Sequence, residues 1–298
     1  MKCVATIGSF DGVHRGHQCL LRQVRHIADE RGLNAAAITF GTSPKRVLGM
    51  ADAPQLSTID ERTTRLRQSG MDEVAMLDFT PQMAAMTARD FMQQILKTLL
   101  HVEVLVIGYD HRFGHGRTEG FAEYVCYGKE MGIEVIRGEV CMDDDKPISS
   151  TRIRHLLEEG RVSEAALLLG YRYKLHGEVV SGYQEGRKIG FPTANLRPSC
   201  PDKLIPANGV YAVRVTVNKN SYLGMLNIGY RPTMNNGKER SIEVHVLDFE
   251  GNLYGKDITV EFAFRLRDEH TFANLDELTE QLKKDKERVR ELLEDRNK

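Results

Sequence analysis

The chain has 298 residues and 41% hydrophobic content, enough for ordinary cores and for two domains. Lys+Arg 41 against Asp+Glu 42 leaves a formal net charge of -1, which excludes a chain that holds nucleic acid through bulk positive charge. No signal-peptide pattern opens it and no apolar run is long enough for a bilayer, so a cytoplasmic enzyme without a membrane partner is expected.

In chain order, short apolar strands at Cys3 to Ile7, Ala35 to Phe40, Glu73 to Leu77, Val102 to Ile107 and Glu134 to Ile136 alternate with helical stretches. Alternation of this kind predicts a parallel sheet, whose ligands bind at the carboxyl ends of the strands. The loop after Ile7 runs Gly8-Ser9-Phe10-Asp11-Gly12-Val13-His14-Arg15-Gly16-His17 into a helix marked by Leu20, Leu21, Val24, Ile27 and Ala28. His14 and His17 therefore share one side of a first helical turn whose unpaired N–H groups attract an anion. Gly16 is expected to let that ligand approach the backbone. His111 and His115 are four apart, but Gly114 and Gly116 place them in a loop. At Ile148-Ser149-Ser150-Thr151-Arg152-Ile153-Arg154 a second helix opens on hydroxyls and cations. Alone that segment reads as a capped surface helix; beside the histidine turn it offers an opposite wall for a triphosphate.

Near Gly170 the apolar period changes. Strand-like segments around Leu175 to Ser181, Gly209 to Val217, Tyr222 to Ile228, Ser241 to Leu247 and Ile258 to Phe264 are separated by Gly, Pro and Asn turns, predicting a barrel or sandwich. A charged helix over Asp276 to Glu294 carries Leu278, Leu282, Val289, Leu292 and Leu293 on one stripe, suited to pack on that structure. Domains of 1–170 and 171–298 are expected. The five cysteines (Cys3, Cys19, Cys126, Cys141, Cys200) show no Cys-x-x-Cys pair, so reduced thiols are expected and zinc is not.

Taken together, the motifs resemble the bifunctional prokaryotic riboflavin kinase/FAD synthetase family nearly end to end. In the first half the resemblance rests on Gly8 to His17, Gly108-Tyr109-Asp110-His111-Arg112-Phe113-Gly114 and Ile148 to Arg154. In the second it rests on Gly186 to Asn195, Gly209-Val210-Tyr211, Asn227 to Thr233, Glu243-Val244-His245 and Leu253-Tyr254-Gly255. The resemblance implies a Rossmann-like α/β nucleotidyltransferase domain joined to a flavokinase β-barrel with a terminal helix. It implies small-molecule substrates: riboflavin, FMN and ATP, with FAD as product and Mg2+ as cofactor. Oligomeric state stays open.

For adenylyl transfer the resemblance implies catalytic His14 and His17, and an ATP site including Gly8, Phe10, Asp11, Gly16, Asp110, Ser150, Thr151 and Arg154. For riboflavin phosphorylation it implies Glu243 as base, with Gly186, Gly190, Thr193 and Asn195 at the nucleotide and Thr193 and Asn195 on the metal. Alternation puts Ser241, Glu243 and His245 on one strand face. The sequence departs from the family pattern at Ser9, where Asn is common, at His111, where Phe is common, and at Thr42-Ser43-Pro44, where a histidine is often present. Two rivals are a class I aminoacyl-tRNA synthetase, disfavoured by the charge, and a first domain that only binds nucleotide or flavin, disfavoured by His14, His17 and Arg154.

Overall fold

The computed structural model describes residues 1–181, 190–232 and 238–294. Its contacts separate two compact units, Met1–Ser150 and Thr151–Lys298.

The first unit is built on a five-stranded parallel sheet: β1 (Cys3–Ile7), β2 (Asn34–Phe40), β3 (Glu73–Leu77), β4 (Val102–Ile107) and β5 (Glu134–Arg137), in the order β3-β2-β1-β4-β5. Every residue of the central β1 is buried, because helices cover both faces and leave no solvent side to mark with polar residues. Helix α1 (Arg15–Arg31) lays Leu20, Leu21, Val24 and Ala28 on the face made by Val4, Ala35, Ala37, Val104 and Val106. Its end is fixed by Gly32 at φ 64, a conformation costly for any side chain with a Cβ. On the opposite face Ala5, Ile7, Leu105 and Ile107 pack with Phe91, Met92 and Tyr124, the last from helix α3 (Phe121–Met131), while α2 (Ile59–Gln68) buries Leu66 on the α1 side. The chain winds to β2 on one side of β1 and pairs with β4 on the other. The loops after β1 and β4 thus flank the switch point where such sheets hold ligands.

The thiols differ from expectation. Cys19 on α1 is joined to Cys141, just before the hairpin β6 (Met142–Asp143) and β7 (Lys146–Pro147), while Cys3, Cys126 and Cys200 are free. The partners lie 122 residues apart, so no local spacing signals the bond.

In the second unit β8 (Lys174–Val180), β9 (Ala194–Pro198), β10 (Gly209–Val217), β11 (Asn220–Pro232), β12 (Lys238–Val246) and β13 (Asp257–Arg267) close an antiparallel barrel in the order β10-β11-β12-β9-β8-β13. Of the two architectures open to the apolar pattern, the barrel is the one adopted. Five of these strands coincide with the apolar segments of the sequence; β9, which closes the barrel between β12 and β8, does not. Helices α4 (Ser150–Glu158) and α5 (Val162–Leu169) lean on the barrel: the Ala207 N–H donates to the Leu157 carbonyl at 2.9 Å, and the Ser163 hydroxyl to the Ala263 carbonyl at 3.0 Å. Helix α6 (Leu275–Glu294) buries Val289 and Leu293 against Ala212, Met225 and Ala263. Buried Asp285 on α6 takes the Arg267 guanidinium at 3.0 and 2.8 Å, so the charged helix is held by an ion pair as well as by its apolar stripe.

Candidate active sites

In the first unit the turn from β1 to α1 is wound tightly. Phe10 and Val13, both buried, sit at φ 48 and 37, with Gly12 between them at φ 79. Side chains rarely adopt this region, so the surrounding packing must hold them there. Asp11 supplies much of that hold. Its carboxylate accepts from the N–H of Leu56 at 2.9 Å, from the N–H of Ser57 at 2.9 Å and from the Ser57 hydroxyl at 3.0 Å, while the Gly12 N–H donates to Ser57 Oγ at 2.8 Å. Asp11 is therefore turned into its own scaffold. Its carbonyl accepts the Ser150 hydroxyl at 3.0 Å, tying the histidine turn to the start of the second motif. A Cβ on Gly8 would stand 3.2 Å from the Phe10 ring. One on Gly16 would stand 3.0 Å from the Ile148 carbonyl and 3.1 Å from the His14 ring, so protein atoms take up the space that Gly16 opens.

His14 is the N-cap of α1, 4% exposed, and its Nδ1 accepts the His17 N–H at 3.3 Å. An accepting Nδ1 leaves the proton of the neutral ring on Nε2. The two imidazoles stack, centroids 3.6 Å apart and planes 17° from parallel, and the Phe10 ring meets His17 edge-on at 5.2 Å. Nδ1 of His17 is buried without a hydrogen-bond partner. Burial first, then the neighbouring His14, Arg62 and His111, hold the His17 imidazolium far below its ordinary range. A negative charge placed beside the pair would offset the like-charge part of these penalties, though not the dehydration.

Arg62, on α2, belongs to no motif of the sequence. It is 6% exposed, donates to the Phe40 carbonyl at 3.0 Å and keeps a buried Nε without a partner; burial lowers its pKa while Asp11 opposes the shift. Only the Thr58–Glu61 capping box marks its helix in the sequence, and that motif says nothing about which way Arg62 points. From the loop after β4, His111 contributes another buried, unpartnered nitrogen, Nε2, whereas Asp110 is exposed. His115 starts a separate short turn, its Nδ1 3.2 Å from the Ala84 carbonyl, so the two histidines lie in a loop and share no helix. Thr151, exposed, and Arg154, half-buried, lie on α4 in the second unit.

The barrel gathers a different set. β12 alternates as the sequence implies, with Ile242, Val244 and Val246 buried and Ser241, Glu243 and His245 on the other face. Glu243 stands opposite Asn195 of β9 on one side and Asn227 of β11 on the other. Thr193, one residue before β9, donates its hydroxyl to Glu243 Oε2 at 3.3 Å. Proposed base and proposed metal ligands thus share one patch of the barrel. His245 Nδ1 is 2.8 Å from the Pro192 carbonyl, pinning the segment that carries Thr193, and the His245 ring meets Phe191 at 5.3 Å. Burial pushes the His245 imidazolium below its ordinary range. Gly190 adopts φ 79 with open space at its Cβ position, so backbone conformation is what it supplies. Gly186 lies outside the described residues.

Asn227 and Glu269 extend this patch. The Asn227 amide donates to Glu269 at 3.3 Å, and a Cβ at Gly229 would overlap the Glu269 carboxylate. Gly229 was legible only as part of a motif; its partner, 40 residues on, carried no signal.

Two family models match the chain: FAD synthetase over residues 1–152 and riboflavin kinase over residues 169–293. A bifunctional riboflavin kinase/FMN adenylyltransferase of Haemophilus influenzae is 38% identical over 287 residues, covering 96% of this chain and 92% of the relative. The Escherichia coli K12 protein of that name is 37% identical over 291 residues, covering 97% and 92%, and the Listeria monocytogenes one 36% over 292, covering 96% and 91%. A solved structure from Streptococcus pneumoniae described as a macrolide-efflux protein superposes with a TM-score of 0.89 at 34% identity, over 97% of this chain and 94% of that one. Among the described residues no helix is long and apolar enough to cross a membrane. With both halves matched in order over nearly its whole length, the chain belongs to the bifunctional riboflavin kinase/FMN adenylyltransferase family.

Proposed function

We propose that His14 and His17 serve adenylyl transfer from ATP to the phosphate of FMN, and that Glu243 serves transfer of the γ-phosphate of ATP to the 5′-hydroxyl of riboflavin. The chain is a two-step enzyme of FAD synthesis from riboflavin. The observation that carries the assignment is the presence of two chemically different clusters in two separate units: stacked, charge-starved imidazoles at a helix start, and a carboxylate hydrogen-bonded to a threonine on a barrel wall.

The difference suits the two reactions. The phosphate of FMN is already a nucleophile, so the first site has to align it with the α-phosphorus of ATP and stabilise the departing pyrophosphate. The Nε2–H of His14, the His17 ring and the positive end of the α1 dipole are suited to that charge, while the His17 and Gln18 amides are taken up by the His14 ring and carbonyl. Gly8, Phe10, Asp11 and Gly16 shape the turn that presents them, and Ser150 braces it. Asp110, Thr151 and Arg154 are assigned to the same nucleotide by their match to the family motifs. The second reaction starts from a hydroxyl, which must lose its proton; Glu243 accepts a hydroxyl proton donor already, that of Thr193.

Thr193 and Asn195 offer uncharged hard oxygens beside the Glu243 carboxylate, a donor set that fits Mg2+ carried in on ATP. The ion would supply charge neutralisation on the phosphates. Gly190, and Gly186 outside the described residues, are assigned to the kinase nucleotide loop. We assign adenylyl transfer to residues 1–170 and phosphorylation to 171–298, with α4 and α5 bracing the barrel. The partners are small molecules and a cytoplasmic setting fits them; there the Cys19–Cys141 bond would face reducing thiols. Incubation with riboflavin, ATP and Mg2+ followed by chromatography should give FMN and then FAD. Formation of FMN alone would leave the first unit without its assigned activity.

A further inference from the structure

His111 replaces an aromatic residue common in the family, and the fold puts it where it can act. It follows β4 at the ligand-binding edge of the sheet, in a turn closed by its own N–H donating to the Gly108 carbonyl at 3.1 Å. Its ring leans toward Phe113, centroids 6.3 Å apart, and its Nε2 is shut away from solvent without a partner. A buried polar nitrogen left unpaired costs free energy in the empty protein, and a guest with acceptor oxygens would recover it. The Nδ1 of His17 and the Nε of Arg62 are orphaned in the same way, and the charges of both Arg62 and His111 act on His17. Two imidazoles and a guanidinium from three elements, α1, the loop after β4 and α2, thus come together around His17 with buried nitrogens unpaired.

We propose that His111 is a phosphate-positioning residue of the adenylyl-transfer site, and that binding of the nucleotide draws protons from solvent onto the His17–His111 cluster. The inference rests on the assignment of adenylyl transfer to this unit. In the free protein burial disfavours charge on both rings: burial, with Arg117 next, lowers His111 to about 4 against the attraction of Asp110, and His17 lies well below its ordinary range. The groups facing His111 are therefore Asp110 and Arg117 from its own loop and His17 from α1, repelled further by His14 and Arg62. A polyphosphate brings several negative charges into this repulsive set, which favours the imidazolium forms and turns each orphaned nitrogen into a charge-assisted donor. The protons come from water on binding and return to it when pyrophosphate leaves, so the reaction carries no net proton through these rings. Because the bound state holds more protons, nucleotide affinity should weaken as pH rises from 6 to 8.

The test is calorimetric titration of the full chain with Mg2+ and inorganic pyrophosphate, the product of this site alone, in PIPES and in Tris buffer, which differ in ionisation enthalpy and do not compete for a phosphate site. The wild type should show proton uptake as a buffer-dependent enthalpy. His111→Phe should take up fewer protons, raise the KM for ATP in FMN adenylylation by about three- to tenfold, as for loss of one hydrogen bond, and leave riboflavin phosphorylation unchanged. His111→Gln, which keeps a donor but cannot titrate, should restore KM without restoring proton uptake. Equal uptake by wild type and His111→Phe, or a His111→Gln KM no better than that of His111→Phe, would overturn the proposal. Retention of full FAD synthesis by His17→Ala would instead refute the site assignment beneath it.

Discussion

Asp11 is the residue whose place in the structure changes most what its replacement should do. A direct nucleotide contact would make Asp11→Ala a binding defect in an intact fold. The geometry says otherwise, since three donors, two backbone N–H groups and the Ser57 hydroxyl, converge on its carboxylate inside the protein. Leaving a buried donor unsatisfied costs about 1–3 kcal/mol, and Ser57 can turn its hydroxyl elsewhere, so two stranded amides set a loss of about 2–6 kcal/mol. The turn it secures holds Phe10 and Val13 at positive φ, so conformational strain should relax once the tie is cut, and the His14–His17 stack with it. Urea unfolding of Asp11→Ala should show the first unit destabilised by that amount, with FMN-to-FAD conversion falling and riboflavin phosphorylation kept. Asp11→Asn retains one acceptor and should fall between. A stable first unit with a raised KM for ATP and unchanged kcat would refute the reasoning and return Asp11 to the nucleotide.

Three further outcomes follow from the packing. Reducing Cys19–Cys141, or replacing Cys19 by Ser, should lower the stability of the first unit by about 2–5 kcal/mol, as expected for a loop of 122 residues, with no change in the barrel on a thermal scan. A fragment beginning at Thr151 should melt higher than one beginning at Tyr171, because only the longer one keeps Ser163 on Ala263 and Leu157 on Ala207; equal melting would mean that α4 and α5 do not support the barrel. Since burial disfavours the charged forms of His17 and His111 in the fold, the unfolded chain binds protons more readily than the native one below the ordinary histidine value. The first unit should therefore be at full stability above pH 6.5 and lose it as pH falls toward 4, and acid titration of urea midpoints would expose the opposite trend if the rings were charged.

Much of the fold could be read because burial on both sides writes a plain apolar run, as in Cys3 to Ile7 and Val102 to Ile107, and because α1 and α6 repeat their apolar residues at helical spacing. β9 escaped because Ala194–Pro198 is short, ends in proline and carries only one large apolar residue, Leu196, too little for its alternation to stand out from the loop before it. The candidate sites were legible where chemistry is local: His14 and His17 sit on one helical turn, and Glu243 and His245 on one strand face. What could not be read was set by distance. Arg62 on Phe40, Asp11 on Ser57, Asn227 on Glu269 and Cys19 on Cys141 are pairings between segments whose sequences carry no mutual signal. Gly16 shows the same limit from the other side, since its need to be small comes from Ile148, far along the chain.

The central claim is that two sites in two units work in series, and a paired substitution tests it most directly. Folded His17→Ala and Glu243→Gln proteins are each given riboflavin, or FMN, with ATP and Mg2+, and the flavins are separated by chromatography. His17→Ala should turn riboflavin into FMN and stop there. Glu243→Gln should slow FMN formation by about 10² to 10⁴, the usual loss for a general base, yet convert supplied FMN to FAD at the wild-type rate. If either substitution abolished both conversions in a folded protein, the assignment of the two reactions to separate sites would be contradicted.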